Sequence, residues 1–413
     1  MRFPALQSRS FVLYESGNVF AQNGQWITRI VIGWVAWELT QSATWVGLLS
    51  FFLFAPTIVA SPFFGVLNDR VPLKPTLMVS QGIVTLSTLV LYLLHLAGQL
   101  GILSLSVVAL VIGVAGSCER AARVAIVPRM VPLSALTNAV AIHASNFNIA
   151  RMLGPVIGGF LIERYGSGPT MLINVLVLLP FLGLVGFLKV NERPSRKAGR
   201  KSFFGDFADG FRAAAAHPII REALLLTCIS SITVRGVQEI LPSIADGLFG
   251  RGAEGLGQMV AAGGAGALVS AVVVAFRHQR KRPGIPLIGL IAVAIGTLSV
   301  AGLGLADNWT LAMILVTING YAGTMIGINM QTTVQLTVDD AVRGRVMSLY
   351  VVLFRAVPAI GALIMGLASE VFGLRWPIIG GAVLLLAVFF WTWSARKRTA
   401  DALEPIDPVP GSA

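Results

Sequence analysis

The sequence predicts an all-α membrane protein: twelve transmembrane helices in two pseudo-symmetric six-helix bundles, with both termini cytoplasmic. Three observations lead there. Of 413 residues, 55% are hydrophobic and only 12% charged, and the mean hydropathy is +0.79. The apolar residues gather in stretches of about 20, the length of helix that crosses a bilayer core. The segments between those stretches are alternately rich and poor in Lys and Arg.

In chain order the stretches run 17–39, 46–67, 76–97, 102–125, 136–162, 169–188, 219–242, 255–276, 286–306, 309–331, 345–369 and 375–394. The N-terminus holds Arg2 and Arg9, and every second connection after it is again basic. These carry Arg70 and Lys74; Arg120, Arg123 and Arg129; the run 189–221; Arg277, Arg280, Lys281 and Arg282; Arg343 and Arg345; then Arg396, Lys397 and Arg398. The intervening connections supply only Arg164, Arg251 and Arg375. Cytoplasmic loops carry the basic excess, so both ends are placed in the cytoplasm, in agreement with an even number of spans.

The net charge of +12 lies mostly in those loops, where anionic headgroups are its natural partners, and no nucleic-acid partner is expected. Two cysteines, Cys118 and Cys228, fit neither a disulfide framework nor a thiolate metal site. The first apolar stretch lacks a small-residue cleavage pattern and is too long for a signal peptide core.

The basic segment 191–218 separates six spans from six. Its second part carries Phe203, Phe204, Phe207 and Phe211 at the spacing of an amphipathic helix lying along the cytoplasmic interface. The expected organisation is therefore a bundle at 1–190, a linker at 191–218, a bundle at 219–395 and a disordered cytoplasmic tail at 396–413. The halves echo one another. Arg151, Pro155, Glu163 and a Tyr-Gly at 165–166 in the first are matched by Arg355, Pro358, Glu370 and a Phe-Gly at 372–373 in the second. Repeated halves of this kind occur in secondary transporters.

Residues 65–74 read Gly65-Val-Leu-Asn-Asp69-Arg70-Val-Pro-Leu-Lys74. A glycine permits close helix approach, and an Asp-Arg pair just past a helix end can satisfy open backbone groups. The run resembles the G-x-L-x-D-R-x-x-R-R loop between helices 2 and 3 of the major facilitator superfamily, with Leu73 in place of the first terminal basic residue. The resemblance implies alternating access between the two bundles. It also implies a gating role for Gly65, Asp69, Arg70 and Lys74, with Arg343 and Arg345 as local partners of the acid. The corresponding loop of the second half has Phe276-Arg-His-Gln-Arg-Lys-Arg282 and no acid. Gln22 to Ser42 and the VPLSALTN run at 131–138 are similar to the branch containing enterobactin and macrolide exporters and lysophospholipid transporters. Leu153-Gly154-Pro155-Val-Ile-Gly158-Gly159 is similar to the close of the antiporter motif, which favours export; Pro155 permits a bend, and the small residues also suit plain helix packing.

Arg29, Arg151, Arg235 and Arg355 fall inside apolar stretches. Each would cost roughly 2.5–3.5 kcal/mol at the centre of a lipid-facing span. Together they approach the whole stability of a typical protein, so they are expected to face a wet cavity, to pair with acids, or to sit near an interface. Gln22, Trp26, Arg29, Gly33 and Trp37 share one face of the first span, read as cavity lining or as a packing stripe with a paired arginine. Trp37 and Glu38 are expected at the outer interface. In the seventh span Arg235 and Glu239 are four residues apart and share a face. Glu239 is the expected proton-coupling acid unless Arg235 pairs with it permanently. Gln238, Asn148, Asn319 and Arg355 complete the expected cavity. Arg151 and Pro155 are read as gating residues, His143 as a packed, hydrogen-bonded histidine, and Glu119 with Arg120 as a cytoplasmic charge network.

The expected function is export of an amphiphilic small molecule, drug-like or a siderophore-like anion, by a monomeric, proton-coupled carrier of the bacterial inner membrane. No enzyme motif, metal or cofactor is expected; the partners are the cargo, protons and membrane lipids. Alternatives are a lipid or lysophospholipid translocator and a non-transporting scaffold or receptor on the same fold.

Overall fold

In the computed structural model the chain is helical almost throughout. The structure describes residues 4–188, 203–276, 284–339 and 342–402, with side chains other than those at 58–70, 203–208 and 395–402. Fifteen α-helices follow in order among the described residues. They are α1 (Arg9–Thr40), α2 (Ala43–Arg70), α3 (Leu73–Leu96), α4 (Ile102–Ile126), α5 (Leu136–Tyr165), α6 (Ser167–Gly186), α7 (Phe203–Ala216) and α8 (Pro218–Ser230). After a π-helical turn at Ser231–Arg235 come α9 (Gly236–Glu239), α10 (Gly252–Ala275), α11 (Leu287–Leu305), α12 (Trp309–Thr337), α13 (Arg343–Arg355), α14 (Val357–Phe372) and α15 (Arg375–Ala402).

Among the described residues, eight helices are long and apolar enough to cross a membrane, or nine if the bent pair Asp209–Ala216 and Pro218–Glu239 is one span. The helices α1 and α5, of 32 and 30 residues, are long enough but carry many polar side chains. They pack on one another, which turns those groups away from lipid.

Local chemistry sets the ends. Ser8 caps α1, its Oγ accepting from the Phe11 amide at 3.3 Å and donating to the Met130 carbonyl at 2.6 Å. Asn308 caps α12 by accepting from the Leu311 amide at 2.8 Å. The matched Tyr-Gly and Phe-Gly pairs end α5 and α14 alike: Gly166 and Gly373 take φ of 81° and 76°, a conformation that a side chain disfavours.

The helices α1 to α6 pack among themselves, as do α8 to α15, and the two sets meet chiefly along α2 with α14 and α5 with α10. Buried Val, Leu, Ile and Ala side chains fill the interior of each set. The helix α7 packs on α13 and α8; a Cβ at Gly210 would lie 3.0 Å from Arg345 Cβ. Of the aromatic residues expected on this helix, Phe211 is exposed, whereas Phe203, Phe204 and Phe207 lie outside the described side chains.

Two stretches read as continuous are interrupted. The seventh is divided by the π turn at Ser231–Arg235. The eleventh breaks at Ala356, two residues before Pro358, because proline supplies no backbone N–H to continue the ladder. Arg355 lies just before that break, inside the 30-residue apolar span Arg343–Phe372.

Candidate functional site

Between the two sets lies a group of arginines drawn from both. Arg29 of α1 pairs with Glu239 of α9: its Nε donates to Oε2 at 3.1 Å, and its terminal nitrogen meets the other carboxylate oxygen. Ser50 of α2 donates to the same Oε2 at 3.3 Å. The competing arrangement, a permanent Arg235–Glu239 pair, does not form. The π turn ends at Arg235, and its guanidinium lies over the Phe354 ring, 4.1 Å from the centroid. Arg235 Nε is buried without a hydrogen-bond partner.

Aromatic rings line the rest. Arg29 lies over Trp26 and Phe54, at 5.0 and 4.7 Å. Trp26 in turn meets Phe147 of α5, and Arg355 lies 4.7 Å over that same ring. Arg235 is within electrostatic reach of Arg29, Arg151 and Arg355, and Arg355 of Arg120 and Arg151. Among the described residues, Arg151, Arg235 and Arg355 have no carboxylate partner. Arg355 is exposed although the Phe147 ring covers its guanidinium. A cation over an aromatic face is stabilised by the ring quadrupole, but the ring does not neutralise its charge. Nearby, Gln238 donates to Asn319 Oδ1 at 3.0 Å, and Asn319 Nδ2 is buried without a partner.

The arrangement can hold negative charge against flat apolar surface. Among the described residues no group of three or more His, Cys, Asp or Glu is placed to hold a metal ion.

The chain's full length bears on its family. The family described as transmembrane secretion effector matches residues 2–412. The chain belongs to this family of the major facilitator superfamily. It is similar to the staphyloferrin A transporter of Staphylococcus aureus (strain NCTC 8325 / PS 47), with 23% identity over 379 residues, covering 89% of this chain and 92% of that protein. It is also similar to the enterobactin exporter EntS of Shigella boydii serotype 4 (strain Sb227), 24% identical over 330 residues, covering 80% and 78%. In fold it resembles the nucleoside transporter NupG, with a TM-score of 0.73, 11% identity and coverage of 94% of this chain and 98% of that one. The human organic anion transporter MFSD10 (TETRAN) gives a TM-score of 0.65 at 14% identity, over 95% and 100%. The protein is a secondary transporter that moves a small organic molecule across a membrane, and its family is one of transporters, not of enzymes.

Within this transporter the remaining expected residues are dispersed. Gln22 is buried in α1. Asn148 is exposed and donates to the Ala144 carbonyl of its own helix at 2.8 Å, so it is not drawn into the arginine cluster. Lys74 donates to the carbonyls of Gly186 and Leu188, at 2.7 and 3.1 Å, and so caps the end of α6. The side chains of Asp69 and Arg70 and the site at Gly65 lie outside the described side chains. Arg343 donates to the Val338 carbonyl at 3.5 Å, and Arg345 packs beside Gly210. Pro155 lies inside α5. The glycines around it bring two neighbours close: a Cβ at Gly154 would lie 2.5 Å from Trp26 Cβ, and one at Gly159 2.7 Å from Gly257 Cα across the two sets.

Trp37 is 4% exposed, not an interfacial anchor. Its Nε1 donates to Asp246 Oδ2 at 2.8 Å, joining the first set to the second, as Ser42 does by donating to Glu370 at 3.1 Å. Together with the Gly159–Gly257 approach, these contacts close the sets against each other at one end of the molecule.

Arg123, counted among the loop charges from the sequence, is instead 2% exposed. It pairs with the fully buried Glu119, which accepts from Gln25 at 2.7 Å. Arg120 donates to Thr57 and, at 3.1 Å, to Ser117. Four of the residues that matter here were not expected: Glu15, Asn18, Ser50 and Asp246. Glu15 escapes because hydropathy places the start of the first span near 17, whereas α1 begins at Arg9. The Ser8 cap was the available signal.

Proposed function

We propose that this protein exports an anionic amphiphile by alternating access, from the cytoplasm outward across the bacterial inner membrane. In this reading twelve spans form two six-helix bundles with cytoplasmic termini, and the monomer is the working unit. One observation carries it: Arg151, Arg235 and Arg355 converge between the two sets of helices with aromatic faces beside them and no carboxylate of their own. A cargo with negative charge and flat apolar surface supplies what that cluster lacks. The similarity to exporters of enterobactin and a transporter of staphyloferrin A supports movement of an organic anion.

The Arg29–Glu239 pair supports proton coupling. A proton on Glu239 releases Arg29, which ties the protonation of that carboxylate to the joining of the two sets. The contacts at Trp37, Ser42 and Gly159 then form the outer gate, closed here, with the basic loops on the opposite, cytoplasmic side.

A second reading, lipid translocation, is favoured by an apolar groove of about 180 Å³ between α5 and α10, lined by Met152, Leu153, Val156, Gly264 and Leu268.

The test is flux in proteoliposomes with an imposed pH gradient, screening aromatic polyanions, carboxylate drugs and lysophospholipids. Export of a polyanion that collapses in E239Q, with the protein folded, supports the first reading. Movement of lysophospholipid alone, independent of the gradient, selects the second.

A further inference from the structure

A second buried ionisable centre lies wholly within the first set of helices. His143 of α5 and Glu15 of α1 meet with Nδ1 and Oε1 2.7 Å apart. The other carboxylate oxygen accepts from Asn146 Nδ2 at 2.8 Å and Asn18 Nδ2 at 3.0 Å. Glu15 thus faces donors on both oxygens. A proton on it would have to turn toward another N–H, so the surroundings suit the carboxylate. An ionised carboxylate only accepts, which fixes the hydrogen of the neutral imidazole on Nδ1. Nε2 is then the ring nitrogen left with a lone pair.

The setting is specific. Tyr14 of α1 stacks on the imidazole with centroids 6.0 Å apart. From α4 come Arg123, which donates to Asn18 Oδ1, and its partner Glu119; α3 contributes neutral Gln81, which accepts from Arg123 at 3.3 Å; α6 contributes the Phe181 ring, 4.3 Å from the Arg123 guanidinium. Glu15 is 8% exposed at its side chain and His143 18%, so the imidazole is the reachable member of the pair.

The network also has a direction. From His143 it passes through Glu15, Asn18, Arg123 and Glu119 to Gln25, each joined to the next by hydrogen bonds. Gln25 lies four residues before Arg29 on α1, one turn away on the same face. Arg29 holds Glu239.

We propose that His143, oriented by Glu15, is a proton-binding site separate from Glu239, and that the chain Asn18–Arg123–Glu119–Gln25 ties its occupancy to the state of the Arg29–Glu239 pair. A carrier with two linked proton positions, one between the bundles and one inside the first, can take up and release its proton at different stages of the cycle.

The site is tested by histidine NMR on the full chain in lipid nanodiscs, titrated with pH alone as the probe. The chain has four histidines, and the His143 signal is the one lost in H143Q. The expected result is an Nδ1-protonated imidazole that becomes doubly protonated between about pH 8 and pH 5. E15Q is expected to abolish the Nδ1 preference, and N146L, which keeps both ionisable groups, to weaken it. An imidazole unchanged over that range, or a tautomer indifferent to both variants, overturns the site. For the link, E239Q is expected to move the His143 midpoint by about half a pH unit, and Q25L to remove that response while His143 still titrates. A response that survives Q25L, or is absent from the start, overturns the link. Because the readout is His143 itself, it stands apart from whether E239Q stops transport.

Discussion

Arg29 on α1 and Glu239 on α9, 210 residues apart, form an ion pair that joins the two sets of helices near the centre of the molecule. Ser50 completes the carboxylate's bonding from α2. The pair is mostly withdrawn from solvent, with side-chain exposures of 20% and 6%. Removing one member should therefore cost more than removing both. R29A is expected to destabilise by about 3–5 kcal/mol, as does stranding one partner of a buried pair, and R29A/E239A to recover part of the loss. Thermal unfolding in detergent checks both; equal losses for single and double variants would count against the pair.

The arginines without acids predict the pattern of substrate recognition. R235Q and R355Q should each raise the KM for an anionic cargo by about tenfold to a hundredfold, the worth of a hydrogen bond to a charged group. R355K should restore affinity only in part, since an ammonium lacks the planar fork. Initial rates in proteoliposomes distinguish this from a fall in kcat alone.

The closed end depends on backbone proximity. A side chain at position 159 has no room beside Gly257, so G159L should hold that end apart. A cysteine introduced at Asn319 is expected to react with an impermeant maleimide from that side in G159L and to stay protected in the parent protein. Flux should fall while cargo still binds.

The Trp37–Asp246 bond is the polar counterpart of that contact. Its loss in D246A should favour the open form by about 1.5–3 kcal/mol, read as faster labelling at the same cysteine. Trp37→Phe should act in the same direction, because it keeps the ring and removes only the donor.

Lys74 gives a contrasting expectation. It caps α6 through two carbonyls, so K74M is expected to cost about 0.3–1 kcal/mol of stability, the scale of a charge at a helix C-terminus. Flux per folded molecule should be unchanged if capping is its whole role; a large loss of flux would support a gating role for Lys74.

Much of the fold was legible because hydropathy, charge alternation and the echoed Tyr-Gly and Phe-Gly ends all act locally. The site was legible residue by residue, since Arg29, Arg235, Arg355 and Glu239 are conspicuous in apolar surroundings. Their pairing was not. Arg235 and Glu239 satisfy a helical spacing rule, but Arg235 lies over the Phe354 ring and a partner from a distant helix takes Glu239. Glu15 and Arg123 were hidden for the opposite reason. Each lies near an end of an apolar stretch, where a charge looks solvated until tertiary packing covers it.

The unpaired guanidinium groups also say something about the empty carrier. Three positive charges close to one another attract mobile counterions, so chloride or phosphate from the medium is expected to compete with cargo for them. Loading is then an exchange of ions more than the filling of a void. Apparent affinity should weaken as small-anion concentration rises, and a measurement made in dilute buffer will overstate how tightly the cargo is held in a cell.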